Sequence, residues 1–291
     1  MSVYVLVLAA NLCFATASLA FAEISRKLSP AWMNFFKVLV AWIAFAVVVF
    51  VFSEWQPVGN LIWGALLLSG VLGLAIGDMF LLTAYVRLGA ARTLILFGFQ
   101  PFFIGVSAHF LLGQEITWLK SLAVLFFLLC LFTFSLEKFR ENGRWEIWGL
   151  AAALIGVLFD NSGVLLTRWA FDQAAGMDPY QANLIRCTGA LVFFIMFSLV
   201  RPVRLVKGFQ LLDSRARWMA VLAAFMGTFM SLLFYLTAVR TGHLASISAM
   251  AVFGPLLTSF FECIYYRRWP NRYLLSALGF FMVGFAVLTW A

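Results

Sequence analysis

The residues of this chain that could do chemistry are a few charged groups inside long apolar runs. Asp78 and Asp160 are the acidic members of this set. An ionisable group in lipid is costly, so each one is a candidate for function. Each carboxylate could exchange a proton or contact a solute across a central cavity. The structural alternative is that each is tied to a neighbouring helix by hydrogen bonds.

Two cations are buried in the same way, Lys37 and Arg186. They could attract a carboxylate or phosphate group of a solute. Alternatively, they could neutralise Asp78, Asp160 or Glu262, or extend to a membrane interface. Of these roles, ion pairing is the one we favour.

Amides and aromatic rings are weaker candidates for lining a cavity. The amides inside apolar segments are Asn11, Asn34 and Asn183. Hydrogen bonding between helices is the role we expect of them, with a place on a cavity as the alternative. The aromatic candidates are Phe14, Tyr85, Phe99 and Tyr235. Their rings could stack on a substrate, although sequence hardly separates that role from packing.

Two prolines occupy matched positions inside apolar segments, Pro101 and Pro255. Proline removes a backbone hydrogen bond and bends a helix. One bend in each half of the chain suits a gate that opens to alternate sides. The alternative is that the prolines are simply tolerated, as they often are in membrane helices.

The matched prolines belong to an internal repeat. The stretch from Gly73 to Pro101 aligns without a gap on the stretch that begins 154 residues later, at Gly227, with eight identical pairs. Earlier segments match at a spacing of 149, which pairs Lys37 with Arg186. Repetition over such a distance indicates two versions of one unit.

Composition places these residues in a membrane. The chain has 291 residues, of which 64% are hydrophobic and 11% are charged, and its mean hydropathy is +1.00. A soluble domain carries about 25% charged residues. The net charge of +8 does not indicate nucleic-acid binding, because the basic residues lie in short gaps between apolar segments. The four cysteines are expected to be buried free thiols, and no metal or other cofactor is expected.

The predicted fold is all-α, with ten transmembrane helices in two inverted five-helix repeats. A spanning helix needs about 20 apolar residues. The apolar segments that meet this length are approximately 3–22, 31–52, 61–87, 92–111, 117–136, 146–170, 179–200, 215–240, 244–264 and 271–290. We therefore expect a first repeat over 1–136, a cytoplasmic linker over 137–145 and a second repeat over 146–291. An odd number of helices per repeat gives the two halves opposite orientations.

The distribution of cations predicts the orientation in the inner (cytoplasmic) membrane. Fifteen Lys and Arg residues lie in the odd-numbered connections, whereas the even-numbered connections and helix ends hold three, Lys120, Arg168 and Arg240. Cytoplasmic loops carry the excess of positive charge. Both termini are therefore expected outside the cytoplasm. No basic region precedes the first apolar segment, so we expect that segment to be an uncleaved membrane helix.

Motifs of catalysis are missing from the sequence. We find no Gly-rich phosphate loop, no HExxH and no GxSxG. The sequence therefore predicts that the protein is not an enzyme.

The residues of the repeat resemble the EamA-type branch of the drug/metabolite transporter superfamily. The similarity rests on the pattern ending in Pro101, on Leu112-Gly113-Gln114-Glu115 and on the cation at Lys37 and Arg186. In the second half, Tyr266-Arg267-Arg268-Trp269 lacks the acidic residue that follows the pattern. The resemblance implies a secondary carrier of small organic molecules, with a central cavity between its halves. Exporters of aromatic and other amino acids are the kind it suggests.

Together these observations predict alternating access around a site at the middle of the membrane. The expected partners are a small-molecule substrate, protons as a candidate coupling ion, and the lipid bilayer, with no nucleic acid. We expect a monomer or a weak homodimer. A non-transporting structural or lipid-handling membrane protein is the alternative, and it would pack its helices without a central cavity.

Overall fold

The computed structural model describes residues 3–53, 55–100, 103, 118–143, 145–174, 176–242, 247, 250, 253–267 and 269–290. These residues form helices and no strand. In chain order the helices are α1 (Val3–Lys27), α2 (Pro30–Phe52), α3 (Asn60–Leu88), α4 (Ala90–Phe97), α5 (Trp118–Asn142), α6 (Ile147–Gln173), α7 (Pro179–Val200), α8 (Leu205–Leu211), α9 (Ser214–Thr241), α10 (Phe253–Tyr265) and α11 (Arg272–Trp290).

The prediction of an all-α membrane protein is confirmed, and the prediction of ten spans remains open. Six of the helices, α1, α2, α3, α6, α7 and α9, are long and apolar enough to cross a membrane. The described residues hold eleven helices, because a short one, α8, lies in the connection predicted over 201–214. Half of the predicted fourth segment, 92–111, lies outside the described residues. The inverted arrangement of the halves also remains a prediction.

Matched caps begin the second helix of each half. The Ser29 hydroxyl accepts a hydrogen bond from the backbone N–H of Trp32 at 3.0 Å, and a proline follows as the first helical residue. The Asp178 carboxylate accepts from the N–H of Gln181 at 2.7 Å, again with a proline following. A side-chain cap satisfies one free N–H, and proline has none to satisfy. The equal spacing seen in sequence therefore corresponds to equal local structure.

Two long helices contain a π-helical segment at matched positions. In α3 the segment is Gly70–Gly77, and in α9 it is Phe225–Met230. Shifting the first segment by the repeat spacing of 154 gives residues 224–231, which enclose the second. A π-helical turn inserts a residue into the ladder of backbone hydrogen bonds and is frequent at functional sites. The first segment packs on α6 and α7, and the second packs on α1 and α2.

Glycine is required where α3 meets its neighbours. A Cβ atom on Gly70 would lie 1.8 Å from the carbonyl oxygen of Arg186, so α3 and α7 approach backbone to backbone. Gly89 joins α3 to α4 with φ of +94°, a conformation that residues with side chains rarely adopt. Small residues at such crossings are typical of helix packing in membranes.

Helices of the two halves pack mainly against each other. Helix α1 packs on α9 and α10, and α6 packs in the corresponding way on α3 and α4. Helix α2 packs on α7, and α5 packs on α11. Each of the four apolar clusters also combines residues from both halves. The two halves therefore share one interior, and a cavity at their junction is bounded by both.

Large apolar side chains cover the outer surface. Phe50, Phe52, Leu199 and Val200 are each at least 80% exposed. Such exposure in water would be unfavourable, whereas in lipid it has no cost because the acyl chains are as apolar as the side chains. These faces of α2 and α7 therefore point to the bilayer.

A polar network joins helix ends of the two halves. Arg92 of α4 and Asn271, which precedes α11, both donate hydrogen bonds to the Glu137 carboxylate of α5. The Glu262 carboxylate of α10 accepts the backbone N–H of Ala91 at 2.9 Å. This network connects helices of both halves and uses Glu262, which sequence analysis had considered as a partner for a buried cation.

Candidate functional site

A cavity of about 160 Å³ lies at the junction of the halves. Drug-sized ligands occupy pockets of about 300–1,000 Å³, so this one fits a smaller solute. Its polar walls come from helices of both halves. The charged and amide side chains on its surface are Asn11, Lys37, Asp78, Gln100, Asp160 and Arg186.

Lys37 and Asp78 form an ion pair inside the first half. Lys37 Nζ of α2 lies 2.6 Å from Asp78 Oδ2 of α3, and the Lys37 side chain is 1% exposed. The ammonium group also lies 5.3 Å from the centre of the Phe21 ring. Each charge therefore has its counter-ion within contact distance, which is the neutralising role considered for Lys37.

Within the described part of the chain, Arg186 of α7 has no such counter-ion in contact. Its Nε donates a hydrogen bond to the Ser69 hydroxyl at 2.9 Å. Its Nη1 is buried and has no hydrogen-bond partner among the residues that the structure describes. A buried donor without a partner is unfavourable, and a charged one more so. The guanidinium on the cavity wall is thus only partly satisfied by the protein.

Asp160 of α6 faces the same gap as Arg186. Its Oδ2 accepts a hydrogen bond from Gln100 Nε2 at 2.9 Å. Gly73 lies between the two charged groups, because a Cβ atom built there would be 3.4 Å from Arg186 Nη2 and 3.7 Å from Asp160 Oδ1. The guanidinium and the carboxylate therefore border one small space that the glycine leaves open.

Four other predicted residues also line the cavity, namely Asn11, Phe14, Tyr235 and Pro255. The amide of Asn11 donates to the carbonyl oxygen of Met250 at 3.2 Å. The structure shows that these four residues lie on the cavity wall. Contact with a substrate remains a prediction for each.

Four predicted residues lie away from the cavity: Asn34, Tyr85, Phe99 and Asn183. The two amides donate to backbone carbonyls of α3 and α9, at Ala75 and Leu232, which is the interhelical role expected for them. The Tyr85 ring is buried in an apolar cluster. The Phe99 ring stacks on Phe127, with 4.5 Å between ring centres.

The remaining predictions concern residues that lie outside the described part of the chain. Pro101, the gating candidate of the first half, lies outside the described residues. So does the stretch from Leu112 to Glu115 that contributed to the family resemblance. Only the second-half proline, Pro255, is placed by the structure, and it lies on the cavity wall.

Sequence reasoning missed three polar residues on the wall: Gln100, Thr228 and Ser231. The Ser231 hydroxyl donates to the carbonyl oxygen of Ala10 at 3.1 Å, whereas the Thr228 hydroxyl has no partner in the described part of the chain. Hydroxyl residues are common in membrane helices and gave no signal. Gln100 was detectable, because it is a large amide inside an apolar run.

The cavity is built from equivalent positions of the two halves. With spacings of 149 and 154, six pairs have both members on the wall: Asn11/Asp160, Lys37/Arg186, Leu74/Thr228, Asp78/Leu232, Leu81/Tyr235 and Gln100/Gly254. The repeat therefore contributes the same backbone positions twice. The residue types differ in all six pairs, and only Lys37/Arg186 carries a charge of the same sign in both halves. The walls are therefore related in position more than in chemistry.

Comparisons with known proteins agree with this architecture. Among solved structures 28 chains match. One of them, a crystal structure described only as that of a protein, shares 14% identity over 99% of this chain and 98% of its own, with a TM-score of 0.68, and so shows a common fold. None of the curated proteins matches the chain. The sequence model of the EamA-like transporter family matches residues 1–136 and 138–290. With nearly every residue covered, the chain belongs to the EamA-like transporter family and is a multi-pass membrane protein of a kind that transports small molecules.

Proposed function

We propose that this protein carries small organic metabolites across the inner membrane by alternating access. Export of amino acids or related metabolites is the direction and substrate that we propose. The observation that carries the proposal is the cavity whose walls repeat the same positions from both halves. Carriers built from inverted repeats bind their substrates between the repeats, near the middle of the bilayer.

The proposed movement is a rocking of the halves around this cavity. Matched π-helical segments in α3 and α9 support it, because such segments depart from the regular α-helical hydrogen-bond pattern and are frequent at functional sites. On this proposal Pro255, which lies on the cavity wall, is a further place where bending would occur. An inverted pair of five-helix repeats, with both termini outside the cytoplasm, would let one motion and its mirror open the cavity to each side in turn.

The rival is a non-transporting membrane protein, and features of the site support the choice of a transporter. A structural protein would pair its buried charges, as Lys37 and Asp78 do. The partly satisfied Arg186 and the open gap beside Gly73 are not expected in such a protein. These two features favour a solute-binding role.

Transport by the purified protein in proteoliposomes tests the proposal. Vesicles that contain the protein and are loaded with radiolabelled amino acids, nucleosides or sugars should release at least one of these solutes faster than loaded vesicles without the protein. A thermal-shift screen against the same solutes identifies which to label, since a bound ligand raises the melting temperature by mass action. If no solute is released above the control rate, the rival is favoured.

Proton coupling is a separate part of the proposal and has its own test. Asp160 on the wall of the cavity is the candidate proton carrier. The same vesicles are assayed with and without a pH gradient across the membrane. A faster rate with the gradient, lost in Asp160→Asn, supports coupling. Equal rates in both conditions indicate a facilitator that needs no titrating carboxylate.

A further inference from the structure

The two halves neutralise their buried cations differently. Lys37 and Arg186 occupy equivalent positions, and each is 1% exposed. Lys37 pairs with Asp78 at 2.6 Å. The position equivalent to Asp78 in the second half is Leu232, so the second half has no acid at the place of the Lys37 counter-ion. The repeat thus contains one closed ion pair and one open cation.

The open cation has the geometry of an anion site. Its Nε is used by Ser69, whereas Nη1 has no partner among the described residues and Nη2 borders the gap beside Gly73. A guanidinium binds a carboxylate with two parallel hydrogen bonds from neighbouring nitrogens. A buried charge that has no partner in contact is unfavourable. A carboxylate carried by the solute is a partner of the right charge and shape.

The opposite side of the gap has the opposite charge. Asp160 Oδ2 is held by Gln100, and Oδ1 borders the space next to Gly73. An ammonium group placed there would contact Oδ1 while a carboxylate contacts the guanidinium. The rest of the wall includes the apolar side chains Phe14, Leu81 and Phe97, which suit an uncharged remainder.

We propose that Arg186 binds the carboxylate of a small zwitterionic substrate and Asp160 binds its ammonium group. Lys37 takes no part, because Asp78 already occupies it. The proposal rests on the proposed function, because it takes this cavity as the transport site. It adds which of the two equivalent cations binds the substrate. It also explains why the gap holds glycine, since a side chain at 73 would separate the two charges.

Calorimetric titration of the purified full-length protein with three probes of similar shape tests the assignment. L-leucine carries both charges, L-leucinamide lacks the carboxylate and 4-methylpentanoate lacks the ammonium group. The wild type is expected to bind leucine about 10- to 100-fold more tightly than either analogue, the range typical of a lost charged hydrogen bond. Binding of all three with equal affinity, or of none, overturns the assignment.

Substitution at Leu232 separates charge from shape. Leu232→Asp gives Arg186 the counter-ion that Lys37 has, and it is expected to lower the affinity for leucine about tenfold or more relative to Leu232→Asn. The Asn variant has nearly the same size, so general effects of a polar group at this position cancel. Equal affinities in the two variants contradict the proposal.

Two more variants complete the test if Leu232→Asp does not fold. Arg186→Lys keeps the charge but loses the paired nitrogens, and leucine should bind at least about tenfold more weakly. Asp160→Asn should remove the preference for leucine over 4-methylpentanoate while leaving the preference over leucinamide. An unchanged order of affinities in both variants overturns the proposal. Release of any labelled solute from wild-type vesicles would still uphold the proposed function, so the two can fail separately.

Discussion

Loss of the Asp78 charge should destabilise the protein through the lysine that remains. Asp78→Asn keeps the size of the side chain and removes the counter-ion of Lys37. The two charged atoms are 2.6 Å apart, and the side chains are 1% and 13% exposed. At an effective dielectric constant of about 20, an attraction at this separation is on the order of 6 kcal/mol. Part of that attraction offsets the desolvation of the two ions, so it is an upper limit.

The expected loss is about 3–5 kcal/mol in the free energy of unfolding, the usual effect of leaving one buried ion without its partner. The Phe21 ring cannot compensate, because a cation–π contact contributes only about 0.5–2 kcal/mol and is already present at 5.3 Å. Reversible unfolding in mixed detergent micelles, titrated with a denaturing detergent, measures the difference between wild type and variant.

The matched control replaces both partners. Lys37→Met with Asp78→Leu removes the pair and leaves apolar side chains of similar volume, an exchange that is often neutral or stabilising. We expect the double variant to recover most of the stability that Asp78→Asn loses, and the cycle of single and double variants gives the coupling between the two residues. A single variant within about 0.5 kcal/mol of wild type, or a double variant no more stable than the single, would show that the pair does not act as described.

Three further predictions use other contacts. Gly70→Ala puts a methyl group 1.8 Å from the Arg186 carbonyl oxygen and should cost about 3 kcal/mol or more in the same titration, since backbone cannot move aside easily; a change near zero would contradict this crossing. Trp32→Phe removes a 3.2 Å hydrogen bond to the Leu205 carbonyl oxygen and should cost about 1 kcal/mol; an unchanged midpoint would mean that the bond contributes nothing. A reporter enzyme that works only outside the cytoplasm should be active when fused after Ala291, and one that works only in the cytoplasm should be inactive. The opposite result would reverse the proposed orientation.

Sequence could identify the charged residues of the site but not their pairing. Lys37 and Asp78 were both candidates, with Asp160 and Glu262 as alternative partners for the lysine. The choice depends on how α2 packs against α3, and Glu262 instead caps the backbone N–H of Ala91. Lys37 and Asp78 are 41 residues apart in sequence. Whether two such side chains meet depends on the rotation of their helices and on their depth in the bundle, which composition does not encode.

The internal repeat contained more positional information than residue type did. Tyr85 and Tyr235 were treated alike as candidate stacking residues. Their equivalents at the spacing of 154 are Val239 and Leu81. Tyr85 and Val239 are both 0% exposed in apolar clusters, whereas Tyr235 and Leu81 both line the cavity. The register of the repeat separates the two tyrosines, because backbone positions related by the duplication have the same surroundings.

Divergence between equal positions follows from the electrostatics of a duplicated cavity. If both halves had kept an acid at the position of Asp78, each cation would be closed in its own pair and the wall would offer a solute no free cation. If both had lost it, two unpaired cations would face one interior, at a cost in desolvation and repulsion. In this protein one cation is paired and the other is open, and the second half has Asp160 where the first half has the neutral Asn11. The two cations and two acids make the wall formally neutral. Arg186 and Asp160 remain as two places that can bind a charged group. On our proposal the solute supplies the carboxylate that Leu232 no longer provides. Release of the solute would then leave Arg186 unpaired, which favours binding of the next solute molecule.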